Sequence, residues 1–221
     1  VSNWNAERVL RAQEATFLAQ LRAEIAGNAE AIAYQTRYVG RVVEAGRSAL
    51  AFLEGSEDCT EDCEAVLIDV FHASQLWGTG YVRSKYDEMV RLGLPTDEAT
   101  RRVVEAFYLN VDGWDVVNAA PPAYRERVRG HLSPEASAIL WRECYVLRGG
   151  RIEELSDACA DDLRALDVQA MLRGVRTDPD LIPQLRFWVG QNINALSFYP
   201  DMQAQADSAM AAIDSVLDHT P

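Results

Sequence analysis

The sequence predicts an all-α protein, and three observations carry that reading. Apolar residues recur at the helical period over long stretches, cap and turn residues divide those stretches, and β-branched residues never alternate over five or more positions outside them. At 221 residues the chain is long enough to bury a real core, and it reads as a single helical domain over residues 1–221.

Residues 6–54 form the first and longest element. Leu10, Phe17, Leu21, Ile25, Ile32, Val39, Val43, Leu50 and Leu53 fall at multiples of about 3.6 residues, and no proline interrupts them. Gly27, Gly40 and Gly46 each weaken the helix by about 1 kcal/mol relative to Ala, which packing can offset. At about 1.5 Å per residue such a helix spans roughly 70 Å, so an elongated bundle is expected. The acidic stretch GSEDCTED, 55–62, ends it.

A second helix follows over 63–77, with Val66, Leu67, Val70 and Phe71 on one face, and WGTGY, 77–81, is a turn. A short helix ends at Gly93, a C-cap residue. Thr96 is the expected N-cap of the next helix, with Asp97 and Glu98 favoured by the dipole of its first turn. Pro121 and Pro122 start another. Ser133 caps a helix with Pro134 at its first position, running to Arg148, and Gly149-Gly150 separates it from a helix over 152–173.

TDPD, 177–180, opens a C-terminal helix pair over 180–219. Ile182, Leu185, Val189, Asn192, Leu196 and Tyr199 step by three and four. Pro200 is expected to kink or break the chain before the pattern resumes through Met202, Ala206, Ala209, Ile213 and Val216. The apolar stripe of 6–54 needs a partner of similar length, and only 180–219 supplies one. The two are expected to pack antiparallel, with the helices of 60–175 forming a distal body.

Acidic residues number 34 against 21 basic ones, a net charge of −13. That balance argues against a nucleic-acid binder, which needs a basic stripe, and against adhesion to an anionic membrane surface. Lys85 is the one lysine among the basic residues, a bias that composition of the source genome explains. No stretch reaches the roughly 18–20 apolar residues of a membrane span. The chain opens on Val1, and the absent methionine raises the expectation of a segment upstream.

Trp4-Asn5 opening a charged helix resembles a family of bacterial membrane-anchored proteins in which one N-terminal transmembrane helix ends in Trp-Asn and continues into a long extracytoplasmic helix. Thr79-Gly80-Tyr81, Tyr86-Asp87-Glu88-Met89, Gly93-Leu94, Arg101-Arg102, Phe107-Tyr108 and Ala123-Tyr124-Arg125 are similar to that family's middle segment, over some two thirds of the chain. Arg101-Arg102 departs from its usual Leu-Arg. The resemblance implies an upstream transmembrane anchor, the periplasmic face of the bacterial inner membrane and a helical fold. It implies no activity. An indole at Trp4 suits the headgroup level of a bilayer; an ordinary partly buried tryptophan is the plainer alternative.

An even number of cysteines in an extracytoplasmic domain favours disulfides. Cys59, Cys63, Cys144 and Cys159 permit three pairings, and the preferred one is 59–63 with 144–159. The first requires CTEDC to be a loop, since helical spacing holds the two Cβ atoms about 5–6 Å apart. The second requires a helical hairpin across Gly149-Gly150. Free thiols are the alternative. Metal binding is disfavoured because Cys-x3-Cys stands without a second Cys or His pair. His72, His131 and His219 are scattered, and neither His72 nor His131 has a Glu three residues before it, so no metal site and no cofactor is expected.

Trp77, Tyr81, Tyr86, Phe107, Tyr108 and Trp114 could line a ligand pocket, although core packing accounts for them more simply. Asn192, polar on an apolar seam, is a second weak ligand candidate whose plainer role is fixing helix register. The expected function is a non-enzymatic, membrane-tethered helical domain working as a protein-interaction, scaffold or sensor-like module. The alternative is a small-molecule-binding module using the aromatic cluster. Partners are thus an unidentified protein and a membrane reached through the upstream helix, with no nucleic acid; homo-oligomerisation stays open.

Overall fold

The computed structural model describes residues 2–117 and 121–219, with side chains over 8–113 and 121–219. Its elements, in order, are α1 (Ser2–Glu54), α2 (Cys63–His72), α3 (Ser84–Leu92), α4 (Glu98–Val117), α5 (Ala123–Arg129), α6 (Pro134–Glu143), β1 (Tyr145–Arg148), β2 (Ile152–Leu155), α7 (Ala160–Leu163), α8 (Val168–Thr177) and α9 (Leu181–Asp218). The all-α class holds, and α1 packs antiparallel against α9. No helix among the described residues is long and apolar enough to cross a membrane. Pro200 lies inside α9 without ending it. A proline costs a helix about 3 kcal/mol, and burial of Ala195, Tyr199, Met202 and Ala206 on either side offsets that.

The chain divides into two compact units: Val1–Ala33 with Gly80–Val117 and Tyr199–Pro221, and Tyr34–Thr79 with Asn118–Phe198. Helices α3 and α4 belong to the first unit, and α2, α5–α8 and the two strands to the second.

In the first unit, Leu21, Ile25, Met89, Val104, Phe107, Tyr108, Met202 and Ile213 are buried. Three polar side chains of α1 hold the backbone that follows residue 80. Asn28 donates from Nδ2 to the Val82 carbonyl at 2.6 Å and accepts the Val82 amide at 2.9 Å. Glu24 accepts the amides of Lys85 and Tyr86, at 2.8 and 3.1 Å, at the start of α3, together with the Tyr108 hydroxyl at 2.7 Å. Glu14 accepts the Thr96 amide and hydroxyl at 2.6 and 3.0 Å. Thr96 is thus occupied, and the cap of α4 is Asp97, which accepts the Thr100 amide at 2.8 Å. Arg22 of α1 pairs with Asp214 of α9.

In the second unit, Val43, Leu53, Leu67, Phe71, Tyr124, Val128, Leu140, Leu163 and Leu185 form one core. Gly46 lets α1 approach α9 closely, for a Cβ there would overlap Val189. Ser133 caps α6 as expected, accepting the Ala136 amide at 3.1 Å. The expected helices to Arg148 and from 152 are instead an antiparallel hairpin, with Tyr145 opposite Leu155 and Arg148 opposite Ile152. Gly149 and Gly150 take φ of 57° and 69° and the Arg151 amide reaches the Arg148 carbonyl, so the glycines form a tight hairpin turn rather than a helix break. Helix resumes only at α7. Likewise α2 ends at His72, short of the expected residue 77; residues 73 and 74 form a turn, and 75–83 run to α3 without regular secondary structure. Cys59 and Cys63, with Cα atoms 5.6 Å apart, and Cys144 and Cys159, 5.4 Å apart, stand at disulfide distance in the expected pairing. The second pair closes the base of the β-hairpin.

Candidate functional site

The second unit gathers its most unusual polar groups around the end of α2. Helix α5 carries Arg125 and Arg129 one turn apart, on one face. Both guanidinium groups point at the turn that leaves α2. Arg125 Nη1 donates to the Ser74 carbonyl at 3.0 Å and to Gln75 Oε1 at 3.4 Å, and Arg129 Nε donates to Ser74 Oγ at 3.0 Å. Trp141 of α6 lies against both, its ring centre 5.7 Å from Arg125 Cζ and 4.7 Å from Arg129 Cζ. Phe71 lies 5.1 Å from Arg129 Cζ and packs edge-on to Trp141. A guanidinium over an aromatic face gains roughly 0.5–2 kcal/mol, which helps hold these two cations where water is scarce.

No carboxylate hydrogen-bonds either group among the described residues. Arg22, Arg41, Arg127, Arg176 and Arg186, in contrast, all meet acids. Burial, and then the charge of Arg125, lower the pKa of Arg129 to about 10. Burial lowers the pKa of Arg125, and Tyr38, then Glu153, then Tyr145 act in the opposite direction. Glu153 is itself buried, with Oε1 accepting the Gly78 and Thr79 amides at 2.6 and 2.8 Å. The Tyr145 hydroxyl also bonds to its side chain; burial first, and then Glu153, push that phenol well above its ordinary pKa.

The residues picked out from sequence divide between the two units. Trp77 packs edge-on against Tyr38 and donates to the Thr79 carbonyl at 2.8 Å, within the second unit. Tyr86 stacks on Tyr108 at 4.2 Å, and Phe107 packs edge-on to Tyr108, in the first unit. Tyr81 also belongs to the first unit, half-exposed. The Trp4 and Trp114 side chains lie outside the described residues. Asn192 is buried in α9 and donates to the Trp188 carbonyl of its own helix at 2.8 Å. Trp77 and Asn192 thus belong to the second unit, and Tyr81, Tyr86 and Tyr108 to the first.

Two further arrangements resemble catalytic machinery in part. His131 Nε2 lies 3.0 Å from Asp178 Oδ2, and Arg127 pairs with the same carboxylate. The other ring nitrogen faces Gly174, where an added Cβ would stand 3.2 Å away. His72 sits between the Cys144 carbonyl, 3.3 Å from Nε2, and Asp157, 3.5 Å from Nδ1. Asp157 is held by Arg41, which also binds Asp69. Among the described residues no group of three or more His, Cys, Asp or Glu is placed to hold a metal ion. No family model, no curated protein and no solved structure matches the chain.

Proposed function

We propose that the chain is the extracytoplasmic part of a membrane-tethered bacterial protein, acting without catalysis as a protein-interaction or scaffold module. The observation that carries this reading is the solvent face of α9. Phe187 is 69% exposed and Ile193 43% exposed, and they flank Gly190, whose would-be Cβ meets nothing within 4 Å. Large apolar groups beside a shallow notch suit the anchor residues of a protein interface. Two cysteine pairs at disulfide distance support an oxidising compartment. The test is a photo-crosslinking residue at Phe187, in the full-length membrane-inserted protein, against one at exposed Arg47. The expected result is one discrete adduct with a second protein from position 187 only. Adducts confined to its own copies, or equal from both positions, would remove this reading.

A second reading, small-molecule binding, is favoured by Arg125 and Arg129 beside Trp141. A ligand present at 100 times its dissociation constant should add about 2.7 kcal/mol of stability in a thermal-shift screen.

A further inference from the structure

We propose that Arg125, Arg129 and Gln75 form a receptor for the carboxylate of a small organic acid, whose apolar body lies on Trp141. This rests on the small-molecule reading and is independent of the α9 surface.

Four observations support it. First, two guanidinium groups stand side by side without a hydrogen-bonded acid, an arrangement that costs stability unless a counter-charge arrives. Second, donors are left over. Gln75 is 1% exposed and its Nε2 has no partner among the described residues, while Arg129 Nη2 is buried and also without one among them. A buried donor left unmade is a free-energy deficit that an arriving oxygen removes. Third, the cluster meets solvent along one edge, where Arg125 is half-buried and Trp141 is 37% exposed. Fourth, charge selects the ligand. Two cations and the Glu153 carboxylate leave one net positive charge, and Glu153 already accepts from Gly78, Thr79 and Tyr145. A monoanion balances that charge, whereas a phosphate dianion would overshoot it in a partly dry site. A planar two-oxygen group also matches the guanidinium fork, and the indole gives a flat surface for an aromatic or aliphatic body.

The test uses the purified chain in low-chloride buffer, titrated with benzoate, acetate and inorganic phosphate, and read by calorimetry and by the arginine Nε–H resonances. The expected outcome is saturable binding of benzoate, weaker binding of acetate, and the weakest for phosphate. Arg125→Gln should weaken benzoate binding at least about tenfold, Arg125→Lys should do so partially, and Arg37→Gln, at an exposed arginine of the same unit, should not. Far-ultraviolet circular dichroism checks that the variants fold. If Arg125→Gln does not fold, Gln75→Leu, which removes the amide at similar volume, must lower affinity instead. Absence of saturation with benzoate, binding unchanged in the folded variant, or phosphate binding as tightly as benzoate would overturn the assignment. Failure of the Phe187 crosslink leaves this titration unaffected, so the two readings fall separately.

Discussion

His72 is fully buried, and its Nε2 faces a carbonyl, so that nitrogen carries the proton and Nδ1 is left as a bare lone pair opposite Asp157. Burial, and then the charge of Arg41, lower its pKa to about 4, against about 6.5 for an unfolded histidine. The unfolded chain therefore takes up this proton first. Stability is complete above about pH 6.5 and is lost as pH falls from there towards 4, by on the order of 3 kcal/mol. Urea midpoints across that range should show the slope, and His72→Gln, which keeps a donor near the Cys144 carbonyl, should flatten it. Asp178 acts lower on the scale. The hydrogen bond from Arg127 holds its carboxyl well below the usual range, so its contribution is present above the unfolded value near 3.9 and is lost as pH falls further.

Two glycines in the long helices have opposite roles. At Gly46 an added methyl would meet Val189, a stiff β-branched side chain, and overpacking costs about 1–3 kcal/mol. Helix propensity returns about 1 kcal/mol, so Gly46→Ala should be destabilising on balance. At Gly190 the space is open, and Gly190→Ala should stabilise by about 1 kcal/mol. Denaturant midpoints of the two variants check the contrast. Both long helices and the Ser133 cap of α6 were legible because their signals are local: period, capping hydroxyl, proline. The hairpin was not. Gly149-Gly150 reads equally as a helix stop, and four-residue strands such as Tyr145–Arg148 are too short to display alternation. The arginine site was hidden for another reason. Arg125 and Arg129 show their spacing in the sequence, but Gln75, Trp141 and Glu153 come from distant positions, and only the fold shows that no acid among the described residues hydrogen-bonds the pair. Of the aromatic residues that were legible, Trp77 belongs to the second unit and Tyr86 to the first.

At the scale of the molecule, the cysteine pairs constrain loops of different length. Cys144 and Cys159 are buried and separated by 15 positions; Cys59 and Cys63 are separated by four and lie in an acidic surface loop. Chain-entropy arguments assign about 3 kcal/mol to the longer loop and about 2 to the shorter. Replacing Cys144 and Cys159 by Ala should therefore lower the melting temperature more than replacing Cys59 and Cys63. Equal effects would point to free thiols. The grip of α1 on the chain after residue 80 has a different kind of consequence. Glu14, Glu24 and Asn28 meet their targets only because the helix fixes their angular order, and each residue of a helix turns the next by about 100°. Deleting one residue between 14 and 24 would swing one clamp a quarter-turn or more away from the others. Evolution of this stretch should then proceed by exchanging side chains and almost never by changing its length.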